Sequence, residues 1–317
     1  MRIRDLPITS DALGKRTWGS APLLARRLVG KFHEAERGTR LAQGSNLKVL
    51  ELGAGTGLVG LALAVAASSS QQQMQVDLTD YHPHVLTNLT GNVKLNDVDH
   101  THFARVSRLD WQAVHEVNES NGHTSVATPY VSTAQTLPRD SSIGDGSYSL
   151  KLQPFKDLDV NENCYDVVIA ADCVYDPFHP IWIRSVAQRY LRQRTDLPKK
   201  ASDGFLGSRS QGGVLYLTSP FRTTHRAEMD AIYAAFPLQE SVAANAGSHA
   251  TANSSAVPLA SVGRVGREPE LCIVSQVDEI GYDNFGPQEL KWDKNQGTSS
   301  PQRGLETTYR TFEIRWT

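Results

Sequence analysis

Glycines occupy every second position between an apolar segment and a helix-forming segment, at Gly53, Gly55 and Gly57. Residues 47–52 have the apolar character of a strand, and residues 58–67 have that of a helix. Because glycine has no Cβ, the backbone of such a turn can bend tightly and approach a bound molecule closely. The spacing predicts a strand, a turn and a helix that together hold a nucleotide-like ligand.

Two carboxylates accompany this turn. Glu51 lies two residues before Gly53, where it can hold the turn or attract the positive end of a ligand. Asp80 ends the next predicted strand, where a carboxylate can accept hydrogen bonds from two ribose hydroxyls, although it could also be an ordinary turn residue. Residues 55–60 also fit the dinucleotide pattern G-x-G-x-x-G, so the glycines alone allow either a dinucleotide or S-adenosylmethionine.

Apolar strands alternate with helical patterns along the rest of the chain. The predicted strands are residues 47–52, 75–79, 103–109, 165–171, 213–218, 271–277 and 308–316. The predicted helices are residues 58–67, 82–95, 181–192 and 224–235. This alternation predicts a mostly parallel α/β sheet of seven strands with helices on both faces. The last two strands have no helix between them, so we expect an antiparallel pair at the C-terminal end.

Three polar segments interrupt this order, at residues 114–163, 241–267 and 281–304. Their Ser, Thr, Asn and Gly content and lack of periodicity predict loop insertions in one domain of residues 47–317. The first could be a lid that recognises a substrate or a surface insertion without such a role. Residues 1–46 are expected to complete the ligand site.

Composition narrows the class of protein. The 32 Lys and Arg residues nearly balance 34 Asp and Glu residues, which gives no global reason to expect a nucleic acid partner. Three cysteines without a CxxC pair suit a reducing compartment. No apolar stretch is long enough for a membrane span, so we expect a soluble, cytoplasmic monomer. His82 and His84 lack further ligands, and we expect no metal ion.

Five motifs resemble, in order, those of the seven-β-strand methyltransferases that use S-adenosylmethionine. The group that is most similar contains protein-lysine methyltransferases and nicotinamide N-methyltransferase-like proteins. The five motifs are Gly14-Lys15-Arg16-Thr17-Trp18, residues 50–60, Leu78-Thr79-Asp80, Leu109-Asp110-Trp111 and Ala171-Asp172-Cys173-Val174-Tyr175. The resemblance implies a Rossmann-like class I methyltransferase fold with S-adenosylmethionine as cofactor.

The resemblance also assigns roles to individual residues. It implies that the cofactor is bound by Trp18, Glu51, Gly53, Gly55, Gly57, Asp80, Asp110, Trp111 and Ala171. Asp172 and Tyr175 would serve the methyl acceptor, Asp172 by accepting a hydrogen bond from an amine and Tyr175 by walling its channel. Each side chain also has a structural alternative. Trp18, Trp111 and Tyr175 could be packing aromatics, and Asp110 could cap a helix.

The function that these observations predict is methyl transfer to a lysine amine of a protein. Translation factors, including elongation factors, are the substrate class that the resemblance implies. Three alternatives remain at this point: a small-molecule N-methyltransferase, a dinucleotide-dependent oxidoreductase, and a non-catalytic module that binds S-adenosylmethionine. An open groove beside Tyr175 would favour a protein substrate, and a closed apolar cup would favour a small amine.

Overall fold

The computed structural model describes twelve stretches of the chain: residues 1–5, 16–37, 46–70, 72–98, 103–120, 155–193, 212–221, 226–239, 269–283, 290–293, 298–301 and 306–317. The helices are α1 (Ser20–Arg37), α2 (Leu58–Ser70), α3 (Pro83–Leu95), α4 (Trp111–Ser120), α5 (His179–Tyr190) and α6 (Arg226–Ala235). The strands are β1 (Leu47–Leu52), β2 (Met74–Asp80), β3 (Ala104–Arg108), β4 (Val167–Ala171), β5 (Val214–Pro220), β6 (Leu271–Tyr282), β7 (Leu290–Asp293), β8 (Thr298–Pro301) and β9 (Glu306–Trp316).

Seven strands form one sheet in the order β3-β2-β1-β4-β5-β9-β6. All neighbours in β3 to β5 are parallel, whereas β9 is antiparallel to both β5 and β6. The expected mostly parallel sheet and antiparallel C-terminal pair are confirmed. A dinucleotide-binding sheet has the order 3-2-1-4-5-6 and a second nucleotide-binding half. Here an antiparallel strand is inserted instead, so the sheet does not support the oxidoreductase alternative.

Helices cover both faces of this sheet because successive side chains of a strand point to opposite sides. Along β1, Val49 belongs to one buried cluster and Leu50 to the other. The first cluster contains apolar side chains of α1, α2 and α3, and the second those of α4, α5 and α6. Burial on both faces explains the continuous apolar run in β4, where Val167 to Ala170 are at most 1% exposed.

Helix α1 was not predicted from the sequence. Leu24, Leu28 and Phe32, spaced four residues apart, are each at most 1% exposed and pack into the first cluster. This spacing is the helical signal that could have identified α1. The helix begins at the carboxyl edge of the sheet, which makes residues 16–20 part of the site described below.

The prediction that residues 114–163 form an insertion without regular structure was wrong for residues 114–120, which belong to α4. Val114 and Asn118 are buried one helical turn apart, and Asn118 Nδ2 donates to Ser185 O at 2.9 Å. Residues 155–163 also pack on the domain, since Leu158 N donates to Arg108 O beside the edge strand β3. Residues 121–154 lie outside the described residues.

The third predicted insertion, residues 281–304, also contains regular structure. Strand β6 continues through Gly281 to Tyr282, and β7 pairs with β8 in a separate antiparallel hairpin. Gly281 made the end of β6 resemble a loop, but a Cβ at this position would lie 2.8 Å from Leu23 Cδ1. A close approach of α1 therefore explains this glycine. The predicted insertion at residues 241–267 lies outside the described residues.

Candidate active site at the carboxyl edge of the sheet

The predicted site residues follow four adjacent parallel strands at one edge of the sheet. The glycine turn follows β1, Asp80 ends β2, Asp110 and Trp111 follow β3, and Asp172 follows β4. The crossover direction changes between β1 and β4, which are hydrogen-bonded neighbours. Ligands of open α/β sheets bind outside the carboxyl ends of the strands at such a point. The fold thus brings together residues that are up to 121 positions apart, from Glu51 to Asp172.

The glycine turn adopts a backbone that only glycine accommodates readily. Gly53, Gly55 and Gly57 have φ angles of +56°, +57° and +81°. A Cβ at Gly53 would lie 3.1 Å from Trp111 Cη2, and one at Gly57 would overlap Leu89 Cδ1. Left-handed backbone is costly for residues with a Cβ. The turn therefore presents bare backbone at the edge where a ligand would bind.

Glu51 holds the start of α2. Its side chain is 2% exposed, and its Oε2 accepts a hydrogen bond from Gly60 N at 2.9 Å. Burial raises the pKa of Glu51 to about 8, an effect that the Gly60 hydrogen bond opposes and the nearby Asp80 carboxylate adds to. The hydrogen bond ties Glu51 to the helix that follows the glycine turn, and the role of Glu51 beside a cofactor stays a prediction.

This raised pKa predicts how the stability of the ligand-free protein depends on pH. In the unfolded chain Glu51 ionises near its ordinary pKa of 4.5, whereas the folded protein retains the proton up to about pH 8. Folding stability from this group is therefore fully present below pH 4.5 and is lost as the pH rises to about 8. We expect Glu51→Gln to gain about 3–4 kcal/mol over the parent between pH 5 and pH 8. Urea unfolding at both pH values measures this difference, and parallel pH dependence of the two proteins would contradict it.

Asp80 joins the glycine turn to the start of α3. Its Oδ2 accepts from Gly55 N at 3.2 Å, and its Oδ1 accepts from His82 N at 3.1 Å. Burial raises the pKa of Asp80, and the hydrogen bonds from His82 and Gly55 oppose this shift. Each carboxylate oxygen has a second lone pair. Asp80 can therefore hold the turn and still accept hydrogen bonds from a ligand.

Trp111 and Asp110 lie at the start of α4. Trp111 is half-buried and lies against Gly53, which places an aromatic wall beside the glycine turn. Asp110 Oδ1 accepts from Ala113 N at 3.1 Å, so this side chain does cap the helix, as its structural alternative proposed. Its role beside an adenine stays a prediction.

Asp172 has an unusual backbone and a defined partner. Its φ angle of +57° is in the left-handed region, and its N–H donates to Thr218 O at 2.9 Å. Its Oδ2 accepts from Ser20 N, at the first residue of α1, at 3.0 Å. Because a helix N-terminus carries partial positive charge, this contact stabilises the carboxylate. Ala171, just before it, ends β4 and pairs with Thr218.

Tyr175 is the most exposed of the predicted site side chains, at 56%. Its ring meets the ring of His179 edge to face with centroids 4.4 Å apart, and the His179 ring also meets the Trp111 ring edge to face, with centroids 5.8 Å apart. His179 Nδ1 donates to Cys173 O at 2.8 Å, and burial lowers the pKa of the imidazole. The neutral histidine thus links the two aromatic walls. Sequence reasoning missed it, and its position four residues after Tyr175 was the available signal.

The segment that carries Trp18 crosses the same edge. Thr17 Oγ1 and Thr56 Oγ1 are 2.8 Å apart, which joins this segment to the glycine turn. On the other side of Trp18, a Cβ at Gly19 would overlap the hydroxyl of Tyr309 on β9. Trp18 is half-buried between these two contacts. Gly14 and Lys15 of the same motif lie outside the described residues.

The described residues give no support for a cysteine nucleophile or a metal site. Cys173 is buried, and burial raises the pKa of its thiol, which agrees with a small packed side chain. No group of three or more metal-ligating side chains occurs within the described ranges. His82 Nδ1 accepts from His84 N at 3.2 Å, as expected for a helix start. The helices of the described part include none long and apolar enough to cross a membrane.

Residues 5–125, which contain the glycine turn, Asp80 and Trp111, match the sequence model of a family described as lysine methyltransferase. Over these residues the chain is similar to that family. Proteins that are similar to the chain include the protein-lysine N-methyltransferase EFM2 of Saccharomyces cerevisiae, 30% identical over 190 residues, which are 58% of this chain and 36% of EFM2. The protein-lysine N-methyltransferase rrg1 of Schizosaccharomyces pombe is 38% identical over 94 residues, 30% of this chain and 26% of rrg1. The matches thus span about a third or less of these relatives.

Among the solved structures that are similar to the chain are the following two. TYW2 of P. horikoshii, solved in complex with MeSAdo, has a TM-score of 0.40 at 10% identity, with 96% of this chain and 66% of that chain covered. The carbon methyltransferase DszA has a TM-score of 0.37 at 12% identity, with 92% and 53% covered.

Proposed function

We propose that this protein transfers a methyl group from S-adenosylmethionine to a lysine amine of a protein. One observation carries the proposal: the glycine turn, in the stretch that matches the lysine methyltransferase family, follows β1, and the segment with Asp172 and Tyr175 follows the hydrogen-bonded neighbour strand β4. When bound, S-adenosylmethionine supplies a methyl group that its sulfonium already activates. The protein then needs mainly to orient and deprotonate an amine.

The residues present suit this cofactor. The three glycines with positive φ leave backbone accessible, Asp80 offers carboxylate oxygens for a ribose, and Trp111 offers a flat apolar wall. We propose that Trp18, Asp110 and Ala171 complete the cofactor site at the same edge. These roles are consistent with the positions of the three residues at this edge of the sheet.

The acceptor side suits an amine. Asp172 offers a carboxylate oxygen to an ammonium or amine N–H, and the Tyr175 ring offers an aromatic face to a cation. A lysine buried beside these rings has a lowered pKa, because desolvation disfavours its charged form. A larger neutral fraction near pH 7 then becomes available for methylation.

The exposure of the aromatic rings favours a protein over a small amine. Tyr175 is 56% exposed and Phe178 is 48% exposed in the part of the chain that the structure describes. Phe178 stacks on Trp182 with ring centroids 6.3 Å apart, which adds a second exposed aromatic ring three residues after Tyr175. A surface of this kind can contact residues that flank a lysine in a polypeptide. We propose translation factors, elongation factors among them, as the first candidates, and a cytoplasmic monomer as the acting species.

Mass spectrometry of a lysate from cells that lack the gene tests the proposal. Purified protein and isotopically labelled S-adenosylmethionine should add labelled methyl groups to lysines of one or a few proteins. The same reaction with small amines serves as the comparison. Labelling of small amines without any protein would support the small-molecule alternative, and cofactor binding without any product would support the binding module.

Loss of the Asp80 carboxylate should weaken cofactor binding. Asp80→Ala removes the expected charge-assisted hydrogen bonds to the ribose, each worth roughly 1.5–3 kcal/mol. The substitution also removes the acceptor of the Gly55 and His82 N–H groups, which adds to the loss of cofactor affinity. Calorimetric titration with S-adenosylmethionine measures the change. Parent affinity in this variant would leave Asp80 as a turn residue only.

The ring of Tyr175 should matter more than its hydroxyl. Tyr175→Phe keeps an aromatic face for the amine, and we expect its turnover to stay within about threefold of the parent. Tyr175→Ala removes the face and its contact with His179, and we expect a loss of about tenfold or more. Methyl transfer to a protein acceptor measures both. Equal losses in the two variants would assign the role to the hydroxyl.

A further inference from the structure

Residues 1–5, called the arm below, lie along helix α3 and are held there by three asparagines. Asn96 Oδ1 accepts from Arg2 N, and Asn96 Nδ2 donates to Arg2 O, both at 2.6 Å. Asn92 Oδ1 accepts from Arg4 N at 2.9 Å, and Asn92 Nδ2 donates to Arg4 O at 3.1 Å. Asn88 Nδ2 also donates to Arg4 O, at 3.0 Å. The asparagine side chains thus hold the arm through hydrogen bonds to the arm backbone.

The spacing of these asparagines has a geometric reason. Four residues of a helix advance by about 6 Å, and two residues of an extended chain advance by about 6.6 Å. Asparagines at every fourth helical position can therefore pair with every second arm residue, here Arg2 and Arg4. Each paired amide supplies both a donor and an acceptor, as a neighbouring strand would.

Asn92 also reaches the glycine turn. Its Nδ2 donates to Thr56 O at 2.9 Å, and the side chain is fully buried. A second connection runs from the end of the arm. Thr17 Oγ1 donates to Asp5 Oδ1 at 2.8 Å, so the Thr56 hydroxyl must donate to Thr17 in their 2.8 Å contact. Two chains of hydrogen bonds from the arm therefore converge on Thr56.

Thr56 lies between Gly55 and Gly57, so contacts with Thr56 can restrict the backbone of the turn. Glycine loses more backbone freedom on ordering than any other residue, so a turn with three glycines is costly to fix. The Thr56 carbonyl and hydroxyl are the groups of this turn that the arm network holds. If the turn is already ordered before a ligand binds, its backbone freedom is not lost during binding.

We propose that Asn92 is a positioning residue, and that the arm, through Asn92 and Thr17, holds the glycine turn in the conformation that binds the cofactor. The statement about the cofactor rests on the proposed function, whereas the statement about the turn does not. The asparagines contact the arm backbone, whereas the connection through Thr17 uses the side chain of Asp5.

Three substitutions in the full chain test the proposal. Asn92→Ala removes the link between Arg4 and Thr56. Thr17→Val keeps the side-chain shape and removes the hydroxyl between Asp5 and Thr56. Asn96→Ala is the matched control, because it is the same change at the C-cap of the same helix, removes arm contacts, and breaks no hydrogen bond to the turn.

Hydrogen exchange of the ligand-free protein is the first measurement. Ala54 N and Gly57 N are hydrogen-bonded to Thr79 O and Ala54 O, so their exchange reports on the turn. Both test variants should exchange these amides about tenfold faster than the parent, and Asn96→Ala should change them less than about twofold. Amides of β5 serve as the internal reference. If Asn92→Ala fails to fold, Thr17→Val decides the outcome. Unchanged exchange in the folded test variants would overturn the proposal.

Affinity for S-adenosylmethionine is the second measurement. Both test variants should bind it about tenfold more weakly, with the loss appearing in KM for the cofactor rather than in kcat. A purely structural role would lower the Tm without this split. If even the parent fails to bind S-adenosylmethionine, the proposed function is wrong, and the exchange data still decide whether the arm holds the turn.

Discussion

Gly55→Val should reduce the affinity for S-adenosylmethionine by about a hundredfold or more. Gly55 has a φ angle of +57°, which is costly for a β-branched residue, and the new side chain would occupy the edge where the ligand passes the backbone. Any shift that relieves this strain also moves Gly55 N away from Asp80 Oδ2. Isothermal titration calorimetry measures the affinity.

Gly30→Val is the matched control. Gly30 lies exposed in α1, and a Cβ there would have nothing within 4 Å. Affinity should be unchanged in this variant, and circular dichroism should show that both variants are folded. Parent affinity in Gly55→Val would mean that the ligand does not approach this backbone, and tight NADH binding by the parent would restore the oxidoreductase alternative.

Asp172→Asn should reduce turnover by about a hundredfold or more while leaving cofactor affinity within a few-fold of the parent. The carboxylate is proposed to accept a hydrogen bond from the acceptor amine. Asparagine tolerates the positive φ of this position better than alanine does, and its oxygen can still accept from Ser20 N. The change therefore removes the charge with little disturbance of the backbone. Methyl transfer to a protein acceptor at saturating cofactor, with a separate binding titration, measures the two effects.

Asp172→Gly provides the comparison for the backbone. Glycine adopts the positive φ without strain but also removes the oxygen that holds Ser20 N. If Asp172→Asn retains full activity while Asp172→Gly loses it, the residue serves the start of α1 and not the acceptor. Equal losses of activity and cofactor affinity in Asp172→Asn would assign the residue to the cofactor pocket instead.

The sheet and its ligand edge were predictable because their signals are local. The apolar run of β1, the alternating glycines and the start of α2 occur within one short segment, and each strand of the parallel sheet carried its own pattern. The predictions failed where residues untypical of an element interrupted its pattern. Gly281 made the end of β6 resemble a loop, and the polar residues around Val114 and Asn118 obscured the helical spacing of these two residues in α4.

Where a residue type allowed more than one role, only the hydrogen bonds in the structure showed which partner the side chain has. From the sequence, Glu51 could hold the turn or face a ligand, and its hydrogen bond from Gly60 N ties it to the helix that follows the turn. Asp110 could cap α4, and its contact with Ala113 N shows that it does. Both bonds are short-range, yet the residue types alone allow more than one partner.

The amino-acid sequence by itself determined the fold class, the seven strands of the main sheet and the edge at which a ligand can bind, because strand periodicity and glycine spacing act over a few residues. Only the tertiary structure showed that Asn92 contacts Arg4 and that Asp172 accepts from Ser20 N. These partners are 88 and 152 positions apart. Such contacts exist only after the sheet has brought α1, α3 and the arm to the same edge, and no local pattern specifies which polar groups then meet.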